Sequence, residues 1–278
     1  MLRPDDRKAT GAGQRVAREY SDLGIVLRSH KLGESDKILR ILTREHGKRS
    51  AVAKGIRKTT SRFGGRLEPL TCARLFMHRG RSMDTIKQVE IRTSFREVRE
   101  DLGLFVNASA MSELIDSVTA EHEPHPELFE LLLKGLELLR DHPRRAPFIR
   151  FFFEFKAMAL SGFELMVTGC SGCGGALETG ETTFSLRLGG MVCESCRVER
   201  RSELGKLIRV GEGAAGMLSW MVSNELGAWP GEPPAEVVRE TGLLMDRMLE
   251  YWMEREFRSH RVMRAIPGGA EGKEGTGG

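Results

Sequence analysis

The sequence predicts a multi-domain α+β protein in which a small five-stranded barrel precedes an all-α domain with an inserted four-cysteine ribbon. Between residues 21 and 92, short alternating apolar runs are separated by turn-forming residues. After Phe95 the apolar residues recur at every third or fourth position, which is the spacing of helices. Two CxxC pairs interrupt the helical part. With 278 residues and 40% apolar composition, the chain can form about two ordinary cores.

The first part of the chain has the pattern of a small β-barrel. Residues 1–20 mix proline, glycine and charge without apolar periodicity, so we expect a disordered leader followed by a barrel domain over residues 21–97. Five short antiparallel strands are typical of an oligonucleotide-binding (OB) fold, and an SH3-like barrel is the structural alternative. Cys72 is expected to be a core thiol. The predicted strands are Asp22–Leu32, Lys37–Thr43, Gly47–Ala53, Thr71–His78 and Thr85–Arg92.

Charge divides the chain into two parts. Residues 21–100 contain 19 lysines and arginines against 9 aspartates and glutamates, a net charge of +10. Residues 101–278 contain 19 against 27, a net charge of −8. Because surface potential governs association, a basic first domain suggests a polyanionic partner. An ordinary solvated surface and an acidic protein partner remain the alternatives.

The basic residues are densest between Arg44 and Arg66, where Glu45 is the single acid. Lysine and arginine side chains that neutralise phosphates bind nucleic acid without regard to sequence. Phe63 lies within this stretch and is expected either to stack on a base or to plug the end of the barrel. The candidate nucleic-acid-binding residues are Lys48, Arg49, Lys54, Arg57, Lys58, Arg62 and Arg66.

The second domain, residues 98–266, is predicted to be helical. Prolines at first helical positions and glycines after the last turn mark several helix ends. The row of phenylalanines from Phe148 to Phe155 is expected to form bundle core, because charged residues interrupt it too often for a membrane span. The Gly-rich residues 267–278 are expected to be a disordered tail. The predicted helical segments are Val98–Val118, Glu127–Asp141, Pro147–Ser161, Gly213–Leu226 and Ala235–Arg264.

The four-cysteine motif predicts a metal site. Cys170 and Cys173 are separated by nineteen residues from Cys193 and Cys196. Two CxxC turns can supply four thiolates to one tetrahedral Zn²⁺, which closes the coordination shell and makes the site structural. We expect one zinc in an insertion over residues 166–202, with a short strand at Thr183–Leu188. Disulfides are disfavoured because the start of the chain lacks a secretory apolar segment, which predicts a cytoplasmic protein, and a redox CxxC would need a βαβ setting.

Catalytic motifs are absent from the sequence. It contains no GxxxxGK[ST], HExxH or Rossmann glycine pattern. His125-Pro126-Glu127 with the later CxxC pairs is similar to the signature of zinc nucleobase deaminases, but neither CxxC follows a proline. We therefore predict that the protein is not an enzyme.

The order and spacing of several short segments resemble the RecO family of bacterial recombination and DNA-repair mediators. The resemblance covers about residues 21–260. The segments that carry it are Gly24-Ile-Val-Leu-Arg28, Gly33-Glu-Ser-Asp36, Thr43-Arg-Glu-His-Gly-Lys48, Ala53-Lys-Gly55, Ser61-Arg-Phe-Gly-Gly65 with Leu67 and Pro69, Arg99-Glu-Asp-Leu102, Pro126-Glu-Leu-Phe129 and both cysteine pairs.

The resemblance implies an OB-fold barrel followed by a helical domain with a zinc-binding insertion. It implies binding of single- and double-stranded DNA, annealing of complementary strands, partnership with RecR and single-strand binding protein, and help in loading RecA in RecF-pathway repair. It also implies a bacterial cytoplasmic, nucleoid-associated location, with Lys48, Lys54 and Arg57 as DNA contacts. A zinc-ribbon enzyme or adaptor acting on RNA or DNA is the alternative from another functional class.

Overall fold

The computed structural model describes residues 18–58, 61, 63, 65–163, 165–177, 180, 182–254 and 257–265. The expected leader up to residue 17 and the expected tail 267–278 lie outside the described residues, as does Arg62.

The first domain is a closed five-stranded barrel. The strand order is β1-β2-β3-β5-β4, and β1 closes the barrel by pairing with β4. All pairings are antiparallel except β3 with β5, so the barrel has the Greek-key closure of an OB fold and confirms that prediction. The strands are β1 (Glu19–Leu32), β2 (Asp36–Thr43), β3 (Gly47–Ala53), β4 (Cys72–His78) and β5 (Asp84–Thr93).

The first strand begins earlier than its sequence pattern indicates. Glu19 and Tyr20, assigned from sequence to the leader, pair with the end of β4 opposite His78 and Met77. Their order comes from the ladder hydrogen bonds of a distant strand, which local composition does not reveal.

The barrel interior is filled by alternate residues of its strands. Leu39 and Ile41 of β2 and Ala51 and Ala53 of β3 are fully buried in one apolar cluster, which also contains Phe63. A second cluster joins the barrel to the helices and includes Ile25, Leu42 and the buried Cys72, which confirms the core interpretation of this thiol.

Four helices follow the barrel. The row of phenylalanines lies in α4 and is buried in the bundle core, as predicted, with Phe151, Phe152 and Phe153 fully inaccessible to solvent. Asp101 caps α2 by accepting a hydrogen bond from the Leu104 amide at 2.9 Å. The helices are α1 (Arg96–Glu100), α2 (Leu102–Val118), α3 (Pro126–Asp141) and α4 (Ala146–Leu160).

The insertion after α4 contains a small sheet of order β7-β6-β8 and one short helix. The strand predicted at Thr183–Leu188 is observed as β6 and ends at Ser185. The elements are β6 (Thr182–Ser185), β7 (Gly190–Val192), α5 (Glu194–Glu199) and β8 (Leu207–Val210).

Three helices complete the second domain: α6 (Glu212–Ser223), α7 (Ala235–Trp252) and α8 (Arg258–Ala265). The single helix predicted over 235–264 is wrong, because Glu254 has a left-handed backbone with φ of 51° and interrupts it. After the turn, Phe257 is fully buried and α8 returns against α2. The Glu113 carboxylate of α2 accepts hydrogen bonds from the amides of Arg258 and Ser259, both at 3.1 Å.

Within the part of the chain that the structure describes, none of these helices has the length and apolar character that crossing a membrane requires.

Candidate nucleic-acid interface and metal centre

The turn after β3 presents three cations to solvent. Lys54, Arg57 and Lys58 are exposed, and Arg66 is exposed further along the same connection. Two backbone contacts fix the base of the turn: the Arg57 amide donates to the Ser35 carbonyl at 3.0 Å, and its guanidinium donates to the Gly33 carbonyl at 3.1 Å. The backbone is therefore ordered while three charges remain accessible.

Asp36 organises the same turn from the neighbouring strand. Its Oδ1 accepts hydrogen bonds from the Gly55 amide and the Ser35 hydroxyl, both at 2.8 Å. These hydrogen bonds, together with the charges of Lys54 and Lys58, hold the pKa of Asp36 below its ordinary value. Its carboxylate therefore fixes the backbone of the turn that carries Lys54 and Lys58.

Lys48 and Arg49 lie at the junction between the barrel and the helical domain, not on the open surface. Lys48 is 4% exposed, and its Nζ lies 3.1 Å from the Asp116 carboxylate. Arg49 is 8% exposed, donates to the His46 carbonyl at 3.1 Å and contacts the His122 ring. Both were predicted as DNA contacts because they belong to the densest basic stretch of the sequence. Their partners Asp116 and His122 are distant in sequence, so local pattern does not show that both side chains join the barrel to the helical domain.

Phe63 is 1% exposed and packs in the barrel interior. Of the two sequence interpretations, the structure supports the core one. A base cannot stack on this ring while the barrel is intact.

Two further arginines lie on the outer face of β1 and β2, and sequence reasoning missed them. Arg28 Nε is 2.8 Å and Arg40 Nε is 3.3 Å from the carboxylate of Asp116. Arg40 also contacts Glu121. In an OB fold the face of strands 2 and 3 binds oligonucleotides, and Arg40 lies on that face while Arg28 lies beside it on β1. Arg40 alternates with the inward-facing Leu39 and Ile41, a signal that could have placed it there.

The four cysteines converge as their spacing predicted. Their Sγ atoms all lie within 4.8 Å of one another, and those of Cys173 and Cys193 are 3.8 Å apart. Four sulfurs about 2.3 Å from a tetrahedral zinc would be separated by about 3.8 Å, so the donor set fits such an ion. Cys170 and Cys196 are buried, whereas Cys173 is exposed at the rim. The site can hold one metal ion.

Local backbone geometry adapts the cysteine site to anionic sulfur. The amides of Cys193 and Gly172 donate to Cys170 Sγ at 3.3 and 3.4 Å. Burial opposes ionisation, but these amides and that of Cys173 lower the pKa of the Cys170 thiol to about 6. Burial and the neighbouring thiols raise the pKa of Cys196 to about 12. A cation at the centre would stabilise both thiolates.

His125 does not join this site. It is the residue before α3, and the group of potential metal ligands around Cys170 contains only cysteines among the described residues. The arrangement therefore lacks the histidine and the open coordination position of a zinc deaminase.

A second polar group lies buried in the helical bundle. Arg150 Nη1 is 2.8 Å from Glu154 and 2.7 Å from Asp246, and the ring of His260 lies 3.4 Å from Glu154. Burial lowers the pKa of Arg150, but the two carboxylates outweigh it and raise that pKa above its ordinary value. Because Arg150 already supplies the positive charge, we interpret the group as a structural tie between α4, α7 and α8.

Comparison with known families covers both domains. A family model described as "Recombination protein O N terminal" matches residues 17–95, and one described as "Recombination protein O C terminal" matches residues 99–261. The chain belongs to the RecO family. The two matches meet at α1, which is also where the barrel ends and the helical domain begins.

Curated RecO relatives match over most of their own length. The chain is 35% identical over 248 residues to "DNA repair protein RecO" of Bifidobacterium adolescentis, covering 88% of this chain and 98% of that protein. It is 36% identical over 251 residues to the protein of the same name from Rubrobacter xylanophilus, covering 90% and 94%. The resemblance inferred from the sequence segments is thus confirmed, and membership places the chain in a family of DNA repair proteins.

Proposed function

We propose that this RecO-family chain is a non-enzymatic recombination mediator that binds single- and double-stranded DNA and anneals complementary strands. The observation that carries the proposal is the exposed turn with Lys54, Arg57 and Lys58, next to the outer β2–β3 face of an OB barrel. Family membership supports a role in DNA repair.

The exposed turn suits binding without sequence preference. Phosphates condense counterions, and each lysine or arginine that neutralises a phosphate releases them, which favours association whatever the base. With Phe63 inside the barrel, the described part of this turn supplies charge and no stacking ring. Contacts confined to phosphates leave the base edges free. Free edges on two strands whose charge is screened are what annealing requires.

The four cysteines are proposed to hold one structural Zn²⁺. Cys170, Cys173, Cys193 and Cys196 would supply a complete thiolate shell, which leaves no coordination position for a reactive water. When bound, the ion would cross-link the loop after α4 to the N-terminus of α5. This supports the proposal that the protein itself neither cleaves nor hydrolyses its ligands.

The proposed partners follow from the family resemblance. They are RecR, single-strand binding protein and, indirectly, RecA, whose loading on coated DNA the protein would assist in RecF-pathway repair. The proposed location is the bacterial cytoplasm, in association with the nucleoid.

The proposal is tested by the salt dependence of single-stranded DNA binding. In the variant Lys54→Ala, Arg57→Ala, Lys58→Ala, the slope of log affinity against log salt should fall by about 2, since each phosphate contact on a single strand contributes about 0.7. Affinity should fall for all sequences alike, and annealing should fall with it. Fluorescence anisotropy over a salt series measures the slope.

The matched control removes three exposed cations from the helical domain, namely Lys134, Arg144 and Arg247. It changes the net charge equally and should leave the slope almost unchanged. An unchanged slope in a folded, metal-loaded turn variant would remove the turn from the DNA-binding role. Cleavage or hydrolysis that co-purifies with the wild type and disappears in a point variant would overturn the non-enzymatic assignment.

A further inference from the structure

An acidic segment of the helical domain lies on the outer face of β1, β2 and β3. The segment, residues 116–124, contains Asp116, Glu121 and Glu123 and no lysine or arginine. It connects the end of α2 to α3. It therefore places carboxylates on the face with which an OB fold binds oligonucleotides.

The carboxylates form ion pairs with cations of that face. Arg28, Arg40 and Lys48 all approach the Asp116 carboxylate, at 2.8, 3.3 and 3.1 Å. Arg40 in addition contacts Glu121. Although burial opposes it, Lys48 and the two arginines hold the pKa of Asp116 below its ordinary value, so the group is anionic at neutral pH. Carboxylates here take the place that phosphate oxygens take on a nucleic-acid surface.

The outer ion pairs are accessible to a competing anion. The side chains of Arg28 and Glu121 are 49% and 39% exposed. Those of Arg40 and Asp116 are 24% and 15% exposed, so each pair has at least one atom group in contact with solvent. Ion pairs in contact with water are weak, because solvent and salt screen them. Lys48 differs, since it is buried and also donates to the Asp116 carbonyl. Exchange therefore concerns Arg28 and Arg40.

The backbone of the segment is held against β3 in a strained conformation. The His122 amide donates to the Lys48 carbonyl at 3.0 Å, and Glu121 forms a bridge with Lys48. His122 has a φ of 67°, in the left-handed region that residues other than glycine rarely adopt. Such strain persists only where surrounding contacts maintain it, and it is frequent in segments that switch.

We propose that the acidic segment competes with nucleic-acid phosphates for the β1–β2–β3 face. Single-stranded nucleic acid then binds by exchanging the carboxylates on Arg28 and Arg40 for phosphates, while the exposed turn after β3 remains available throughout. This rests on the proposed DNA-binding function and adds to it the regulation of the same surface. The free chain accordingly binds more weakly than its barrel cations alone would allow.

The first test neutralises the two carboxylates in the full chain with Asp116→Asn and Glu121→Gln. The slope of log affinity against log salt for a single-stranded oligonucleotide should rise by up to about 1.4, about 0.7 for each freed arginine. When DNA binds to the wild type, the carboxylates that leave the arginines attract salt cations from solution. This uptake offsets part of the cation release from the DNA, so the wild-type slope is smaller. Asparagine still offers Lys48 an oxygen, so the junction should fold.

The control for this variant is Glu100→Gln with Asp141→Asn. It makes the same change in net charge at two exposed carboxylates that pair with Arg96 and Arg140. The proposal is overturned if the test variant gains no more slope or affinity than this control. Glu121→Gln alone removes one of the two carboxylates on Arg40, which keeps Asp116, so it should give a smaller increase in slope than the double variant but still exceed the control. It keeps the test decisive if the double variant does not fold.

The second test uses the unaltered chain. If phosphates displace the segment, hydrogen exchange at the His122 amide, followed by NMR, should become faster when a single-stranded oligonucleotide binds. Exchange that is unchanged or slower shows that the segment stays in place and overturns the proposal.

The two claims fail differently. If neither the wild type nor the test variant binds DNA, the proposed function fails, and the competition fails with it. If the wild type binds through Lys54, Arg57 and Lys58 but the test variant behaves like its control, only the competition fails.

Discussion

Replacing Phe63 by alanine separates a core role from a DNA-stacking role. The ring is 1% exposed in the barrel cluster, so its removal leaves a cavity among the inward-facing residues of β2 and β3. Truncation of a buried phenylalanine costs about 3–5 kcal/mol. A stacking ring would instead cost about 1–3 kcal/mol of binding free energy per base, with little loss of stability. The structure predicts the first result.

The two quantities are measured on the same preparations of Phe63→Ala. Urea denaturation gives the free energy of unfolding, and anisotropy at low denaturant gives the affinity of the folded protein for single-stranded DNA. Leu39→Ala is the matched control, because Leu39 is fully buried in the same cluster but lies in β2, outside the connection between β3 and β4 that contains Phe63. Both variants should lose stability and keep the salt slope. A Phe63→Ala protein of wild-type stability with tenfold weaker binding would refute the core assignment.

Three further predictions concern the metal centre and the domain junction. Cys170→Ser should lower the zinc content measured by elemental analysis and destabilise the insertion without changing the DNA salt slope; full zinc occupancy would contradict the four-thiolate site. Gly47→Ala should lower the free energy of unfolding by more than the roughly 1–3 kcal/mol of an ordinary left-handed residue, because the added Cβ would lie 2.2 Å from the Glu123 carbonyl oxygen. Gly33 also has a left-handed backbone, with φ of 59°, but open space around it, so Gly33→Ala should cost less in the same denaturation assay. Equal losses of stability in the two variants would refute the contact with Glu123. The pKa of Asp116 is lower in the folded protein than in the unfolded chain, so the ionised carboxylate stabilises the fold. This contribution should be complete above the unfolded pKa of about 3.9 and disappear as pH falls through the folded pKa. The difference in unfolding free energy between wild type and Asp116→Asn should therefore narrow on acidification below about pH 4. A gap that stays constant in acid would exclude the ion pairs.

The local sequence pattern was sufficient to predict a strand or helix where one face of that element packs against a core. The bounds of β3 were predicted residue for residue, because Ala51 and Ala53 alternate with the half-buried Ser50 and Val52. The convergence of the four cysteines was predictable for a different reason, because two CxxC pairs at this spacing are typical of four-sulfur metal sites.

The features that the local sequence pattern did not predict depend on contacts between residues that are distant in sequence. Lys48 and Arg49 have the composition of a surface stretch, but their surroundings include Asp116 and His122, some seventy positions later. The break before α8 was also missed, because apolar periodicity continues across Glu254. The buried ion pairs around Arg150 could have been predicted from the sequence. Arg150 and Glu154 are four positions apart in a helix that is otherwise almost wholly apolar, and such charges must pair inside the core.

The position of α8 has a consequence for the order in which the two domains form during synthesis. All five barrel strands are contained in residues 19–93, so the barrel can close once that stretch has left the ribosome. The helical domain must wait for the last helix, because Glu113 of α2 and Glu154 of α4 receive hydrogen bonds from Ser259 and His260. Until then, the core also lacks Phe257, which is fully buried in the cluster that the earlier helices form. The nascent chain therefore passes through a stage with a finished barrel and an unfinished bundle.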